Sequence, residues 1–177
     1  MWIFNRDYLV GLIKNAVSRG YTDLVGEIIT KRINTDRFFE YRFETEFLRL
    51  KSLADYFRVS MRLLSDSSLG ELMKGGIKSR KSDSAPVKIG EGASVTSSLV
   101  SEGCNIFGTV ENSIVFSGVT VERGAVVKNS ILFPNVSISS GARLDFVIAD
   151  RNTDVREGNI LAGCKMLPYF IGIDKII

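Results

Sequence analysis

The sequence predicts a mainly β protein in which a helical N-terminal part precedes a parallel β-helix. A six-residue unit that starts with Val or Leu recurs, and its starts lie 15, 17 and 17 residues apart. The four copies begin at Val95, Val110, Val127 and Leu144 and read VTSSLV, VENSIV, VKNSIL and LDFVIA. Such a period is typical of stacked coils, each too small to bury its own apolar face. The four starting residues are therefore predicted to form one inward column.

The first predicted element is a helix that Asn5 caps, with Asp7 in its first turn, where the helix dipole favours a carboxylate. Its apolar positions follow helical spacing: Leu9, Leu12, Ile13, Ala16 and Val17. Gly20 is a stop signal. Thr22 is predicted to cap a second short helix that carries Leu24, Val25, Ile28 and Ile29.

A strand and a further helix are predicted next. Phe39, Tyr41 and Phe43 alternate with charged residues, which is the period of a half-buried strand. Ser52 with Asp55 resembles a capping box. The helix that it opens carries Leu53, Tyr56, Phe57, Met61 and Leu64 on one side, and a last short helix is predicted from Ser68 to Met73.

Residues 74–88 are predicted to be a linker between a region at 1–73 and the β-helix at 89–177, since they contain Gly, Ser, Pro and charge but few apolar residues. This linker holds the basic cluster Lys78, Arg80 and Lys81. One interpretation is a solvated tether, and the functional hypothesis is that the cluster contributes to a site for an anionic effector.

From Ile89 onwards, Val, Ile and Leu recur in steps of four to six residues, with Gly and Asn between them. Gly and Asn tolerate the left-handed backbone of tight corners. The corner candidates are Gly103, Gly118, Gly124, Gly141, Asn112, Asn129 and Asn135. Small residues at Ser98, Ser113, Ser130 and Ala142 suit a narrow interior.

Composition narrows the class of protein. The chain has 177 residues, of which 45% are hydrophobic and 24% charged, as in ordinary globular proteins. It shows neither a membrane-length apolar stretch nor a signal peptide, so we expect a cytoplasmic protein without a membrane partner. The net charge of +3 is too small for the dense basic face of a nucleic-acid binder. Cys104 and Cys164 are predicted to be buried thiols.

The chain contains no histidine, which excludes Ser-His-Asp and Cys-His catalysis. With only two cysteines it has too few soft ligands for zinc, so no metal site and no catalytic residue are predicted. A phosphate-binding loop of the GxxxxGK[ST] type is also missing.

Five segments in this order carry a resemblance to a known family: Trp2–Leu9, Asp23–Ile29, Phe47–Ser60, Val110–Phe116 and Val127–Phe133. The chain resembles the C-terminal part of glucose-1-phosphate adenylyltransferase, also called ADP-glucose pyrophosphorylase. The resemblance implies that the β-helix is left-handed and that 1–73 is the tail of an α/β nucleotidyltransferase domain. It also implies that the nucleotide loop, a metal carboxylate and the sugar-phosphate lysine would lie before Met1, so we expect a C-terminal fragment.

One departure from the family pattern bears on activity. With Tyr56 and Phe57 as anchors, the aspartate that helps hold the catalytic Mg²⁺ in catalytic subunits falls on Arg49. A guanidinium cannot ligate a cation. Arg at this position is similar to the regulatory, GlgD-type subunit of some Gram-positive bacteria.

The expected function is assembly with, and allosteric tuning of, a catalytic adenylyltransferase subunit in glycogen synthesis. The chain is expected to be inactive alone, to hold no cofactor because Mg²⁺ and ATP bind the catalytic partner, and to form a homo-oligomer in isolation. The alternatives are a hexapeptide-repeat sugar acyltransferase, a γ-type carbonic anhydrase and a stand-alone scaffold. The two enzyme alternatives usually require His.

Overall fold

The computed structural model describes residues 2–42, 48–64 and 84–177. The chain forms two compact units, Met1–Phe47 and Leu48–Ile177. The helix that follows Ser52 therefore lies in the same unit as the β-helix, whereas the sequence had placed it with the region at 1–73. The helix expected from Ser68 to Met73 lies outside the described residues.

The first unit is helical. Helix α1 spans Arg6–Ser18, and the Asn5 side chain accepts hydrogen bonds from the backbone N–H groups of Asp7 (3.0 Å) and Tyr8 (3.3 Å). Helix α2 is π-helical over Leu24–Ile29 and α-helical over Thr30–Arg32. The two helices share a small apolar core made by Leu12, Ala16 and Ile28, with Phe4, Tyr21 and Leu24 packed against it.

Two predictions for this unit were wrong in detail. The residue that caps α2 is Asp23, whose carboxylate accepts from the Val25 N–H (3.0 Å), and not Thr22. Residues 38–42 form no strand, and Phe39 and Tyr41 are exposed. Alternation gives a strand only where a neighbouring strand accepts the backbone hydrogen bonds, and no described strand lies in this unit. Phe43 lies outside the described residues.

Helix α3 spans Leu53–Arg62 and begins as the sequence predicts. The Ser52 hydroxyl accepts a hydrogen bond from the Asp55 N–H at 3.1 Å. Asp55 in turn lies in the first turn, where its charge complements the helix dipole.

The rest of the described chain is a parallel β-helix, which confirms the predicted fold class. Its fifteen described strands have two or three residues each and form three five-stranded parallel sheets. The first sheet contains β1 Lys88–Ile89, β4 Asn105–Ile106, β7 Thr120–Val121, β10 Ser137–Ile138 and β13 Asp154–Val155. The second contains β2 Ser94–Thr96, β5 Thr109–Glu111, β8 Val126–Lys128, β11 Arg143–Asp145 and β14 Ile160–Ala162. The third contains β3 Leu99–Val100, β6 Ile114–Val115, β9 Ile131–Leu132, β12 Val147–Ala149 and β15 Tyr169–Ile171.

The predicted inward column is confirmed. Val95 pairs with Val110, Val110 with Val127, and Val127 with Leu144 in the second sheet. Leu161 extends the column by one more coil. The side chains of Val110, Val127 and Leu144 are fully buried. Each coil therefore buries its apolar residues against the coils above and below it.

The corners between the strands use residues that accept a left-handed backbone. Asn112 and Asn129 have φ of 46° and 43°, and they stack: the Asn112 amide donates to Asn129 Oδ1 at 2.7 Å, and the Asn129 amide to Asp145 at 2.8 Å. Inside the coil, Ser113 and Ser130 are fully buried. The Ser113 hydroxyl accepts from the Ser130 N–H at 3.1 Å, so the narrow interior satisfies its own polar groups.

One short corner explains why the first repeat interval is 15 residues and the later ones 17. Phe107 and Gly108 alone join β4 to β5, whereas residues 122–125 join the equivalent strands one coil later. A Cβ atom on Gly108 would lie 2.5 Å from the Ala125 carbonyl oxygen. Only glycine therefore fits this shortened corner without a shift of the backbone.

The two cysteines differ, and the prediction that both are buried was wrong for Cys164. Cys104 lies in the interior, and burial raises the pKa of its thiol. Cys164 is exposed because it follows β14, where no described coil stacks above it.

In the described part of the chain, no helix is both long enough and apolar enough to span a bilayer.

Candidate functional site

Within residues 2–42, 48–64 and 84–177, no three Cys, Asp or Glu side chains gather in a way that could hold a metal ion. Three surface features of the second unit stand out. They are the segment around Arg49, the face that α3 covers, and the last coil of the β-helix.

Arg49 lies in an exposed segment of irregular structure, Leu48–Lys51, just before α3. Among the described residues, no ion pair joins it to a carboxylate. A guanidinium cannot ligate a cation, so Arg49 itself offers no ligand to a metal ion. The predicted effector residues Lys78, Arg80 and Lys81 lie outside the described residues.

Helix α3 covers the outer face of the third sheet. Phe57 is 2% exposed and packs against the outward side chains of Ile114, Ile131 and Ile148, which stack from coil to coil. Tyr56, Met61 and Leu64 border this contact. This cluster is separate from the core inside the coils. The third sheet is therefore buried on both faces at β6, β9 and β12.

Aromatic rings fix the position of the helix on this sheet. The Tyr56 and Phe133 ring centroids lie 6.1 Å apart in a stacked arrangement, and those of Phe57 and Phe146 lie 6.1 Å apart. Phe133 stacks in turn on Phe116 at 5.1 Å. Such pairs contribute about 0.5–1.5 kcal/mol each beyond the area that they bury.

The sequence contained a signal for this contact that the repeat analysis missed. The third strand of each coil has two consecutive apolar residues, as in Ile114-Val115 and Ile131-Leu132. Because neighbouring side chains of a strand point to opposite faces, two apolar neighbours indicate that both faces are covered. The amphipathic helix at 53–62 is the element that packs on the outer face of this sheet.

The last coil presents an apolar surface to solvent, which we call the terminal surface. It comprises the exposed side chains of Ile160, Met166, Leu167, Tyr169, Phe170, Ile173 and Ile176. Strands β14 and β15 lie at the edges of their sheets. On the outer side of each strand, no described strand pairs with the backbone N–H and C=O groups. An apolar edge of this kind is prone to pair with another chain.

Charged side chains on the outer face of the second sheet pair between neighbouring coils. The Lys128 ammonium lies 2.7 Å from the Glu111 carboxylate on the next coil. This hydrogen bond and the charge of Glu111 raise the pKa of Lys128. Both groups are about half exposed, so the pair is worth little to the fold.

Three short parallel sheets, a left-handed corner in every coil and stacked Val, Ser and Asn columns define a hexapeptide-repeat β-helix protein. Residues 85–164 match the sequence family described as GlmU-like, C-terminal hexapeptide. The repeat class predicted from the sequence is therefore confirmed.

Three curated relatives narrow the comparison. The chain is 29% identical over 128 residues to the glucose-1-phosphate adenylyltransferase of Thermosipho africanus, which covers 71% of this chain and 31% of that protein. It is 28% identical over 159 residues to that of Fervidobacterium nodosum, covering 89% of this chain and 38% of the relative. For Geobacillus stearothermophilus the identity is 32% over 129 residues, covering 71% and 33%.

These relatives support the resemblance to glucose-1-phosphate adenylyltransferases that the sequence segments indicated. The chain spans about a third of the length of the relatives that it matches, with shares of 31%, 38% and 33%. The similarity includes the hexapeptide repeats, and for the Fervidobacterium protein it covers 89% of the chain.

Proposed function

We propose that this chain is part of a regulatory, GlgD-type subunit of glucose-1-phosphate adenylyltransferase in ADP-glucose synthesis, and that it acts in the cytoplasm through assembly. The observation that carries the proposal is Arg49, an exposed cation at the position where the resemblance places a metal-binding aspartate. The similarity to enzymes named glucose-1-phosphate adenylyltransferase supports the part of the proposal that concerns ADP-glucose synthesis.

Assembly is the mechanism that the second unit supports best. The partner is a catalytic adenylyltransferase subunit, which binds Mg²⁺ and ATP, and a second copy of this chain takes its place in isolation. A rigid β-helix with a covered side face and an apolar end offers a fixed docking surface that needs little ordering on contact. The cluster Lys78, Arg80 and Lys81 is proposed to contribute to an anionic effector site.

Catalytic inactivity is the first prediction. The pure chain, supplied with ATP, glucose 1-phosphate and Mg²⁺, should release no pyrophosphate above a buffer blank, because Arg49 cannot ligate the metal. Coupled pyrophosphate detection measures this, with a catalytic adenylyltransferase as the positive control. Turnover by the pure chain would refute the regulatory assignment.

Self-association is the second prediction. Light scattering should give a mass above the 19.6 kDa of one chain, falling towards that value on hundredfold dilution. A double variant of the terminal surface, Ile160→Lys with Leu167→Lys, should raise the dissociation constant at least about tenfold, because it places charges in an apolar interface.

The matched control for association is Val17→Lys, which changes an exposed apolar residue of the first unit and should leave the mass unchanged. A wild-type chain that stays at 19.6 kDa and does not bind a catalytic subunit would reduce the protein to a lone scaffold. Equal weakening by the control and the double variant would mean that the terminal surface is not the interface.

A further inference from the structure

A pocket of about 180 Å³ lies between α1 and α2 in the first unit. Its floor is apolar and is formed by Leu12, Ala16 and Ile28. Its rim is polar and carries Asn15, Arg19, Tyr21, Glu27, Lys31 and Arg32. None of these residues belongs to the sites proposed above.

Lys31 of the rim contacts the Tyr21 side chain, and Arg19 lines the same pocket. The Lys31 ammonium donates a hydrogen bond to the Tyr21 hydroxyl oxygen at 3.2 Å and lies 4.2 Å from the centre of the same ring. The hydrogen bond from Lys31, with its charge and a smaller contribution from Arg19, lowers the pKa of Tyr21. A neutral phenol oxygen can accept only some of the hydrogen bonds that an ammonium and a guanidinium donate, so donors remain for a ligand.

The other charged side chains of the rim, Arg32 and Glu27, make contacts within the protein. Arg32 is paired with Asp36 at 3.2 Å, and both side chains are partly buried. The Glu27 carboxylate accepts from the N–H groups of Thr22 (2.8 Å) and Asp23 (2.9 Å), which lowers its pKa. The rim thus holds three cationic side chains and one carboxylate. That carboxylate is hydrogen-bonded to the backbone of the turn before α2.

We propose that this pocket binds the phosphate group of a small phosphate monoester. Arg19 and Lys31 supply charge-assisted donors to the phosphate oxygens, and the Tyr21 hydroxyl turns to donate a third hydrogen bond. The floor made by Leu12, Ala16 and Ile28 accepts the ester carbon next to the phosphate. Several donors around one point suit the three oxygens of a phosphate better than the two of a carboxylate.

The test is a titration of the isotope-labelled full chain, followed by backbone amide chemical shifts at constant ionic strength. Glycerol 3-phosphate, inorganic phosphate and acetate are the probes. Saturable shifts of the amides at 19–21 and 27–32 are expected with glycerol 3-phosphate. Inorganic phosphate should bind more weakly, because it leaves the apolar floor empty, and acetate should not saturate.

The variants Arg19→Gln and Lys31→Gln should each weaken glycerol 3-phosphate binding about tenfold, since each removes one charge-assisted hydrogen bond. Lys14→Gln is the matched control, because it removes an exposed cation of α1 that does not line the pocket, and it should bind as wild type does. Spectra without ligand verify that each variant is folded.

Three outcomes overturn the proposal. They are an absence of saturation by both phosphate probes, acetate binding as tight as phosphate binding, and equal weakening by Lys14→Gln and Lys31→Gln. Inorganic phosphate binding as tightly as glycerol 3-phosphate would refute the monoester in favour of the free ion. None of these results depends on the adenylyltransferase assignment, which has its own assays.

Discussion

Val127→Asp is expected to unfold the β-helix. Val127 is fully buried and lies in register between Val110 and Leu144, at the middle of the inward column. The substitution removes about 1.5–3 kcal/mol of apolar burial and adds an unpaired carboxylate to the interior. The total cost of at least about 4 kcal/mol is a large part of the stability of an ordinary domain. Circular dichroism at increasing temperature measures it.

The matched control for this variant is Val126→Asp, the same substitution one residue earlier in the same strand. Val126 is half-buried, and the alternation of strand β8 points its side chain away from the column. It should therefore melt at a clearly higher temperature than Val127→Asp does. If the two variants melt together, or if Val127→Asp melts like wild type, the inward column is misassigned.

The β-helix could be predicted from the sequence because its order is local and repeated. A residue such as Val110 contacts its equivalents at a fixed spacing, so one rule assigns the whole column. The left-handed corners were also predictable, since Asn112 and Asn129 belong to the few residue types that tolerate them. The two-residue corner at Phe107 and Gly108 was visible only as an irregular interval.

The helical first unit was less predictable because local signals compete there. Thr22 and Asp23 both have side chains that can cap a helix, and the Asp23 carboxylate is the one that accepts from the Val25 N–H. The backbone N–H groups of Thr22 and Asp23 both donate to the Glu27 carboxylate. The alternation at residues 39–42 is typical of a strand, yet a strand also requires a partner that no local pattern supplies. The pocket beside Tyr21 depends on how α1 and α2 pack, and its cations lie twelve residues apart in the sequence.

The place of α3 was the main difference between prediction and structure. Its cap at Ser52 was read correctly, and so was its apolar side apart from Leu53, which is exposed, but the surface that this side covers is set by tertiary packing. A helix of ten residues is not stable alone in water, so its order depends on the sheet beneath it. Phe57 is the residue through which most of that dependence acts, since it is the buried residue of the helix.

Phe57→Ala is therefore expected to release α3 from the β-helix while the coils stay folded. The substitution removes a ring that is 2% exposed, which costs about 3–5 kcal/mol in comparable cores. That cost exceeds what the stacking of Tyr56 on Phe133 can offset. Hydrogen exchange should show lost protection of the α3 amides, whereas the amides of Val110, Val127 and Leu144 should stay protected.

Leu53→Ala is the matched control, because Leu53 belongs to the same helix but is 47% exposed, and it should leave the exchange of α3 near that of wild type. The two clusters of buried residues are distinct, one inside the coils and one under the helix, which is why release without unfolding is expected. Loss of protection in both clusters at once would show that they form one cooperative unit. Unchanged protection of α3 in Phe57→Ala would show that the other aromatic contacts suffice to hold the helix.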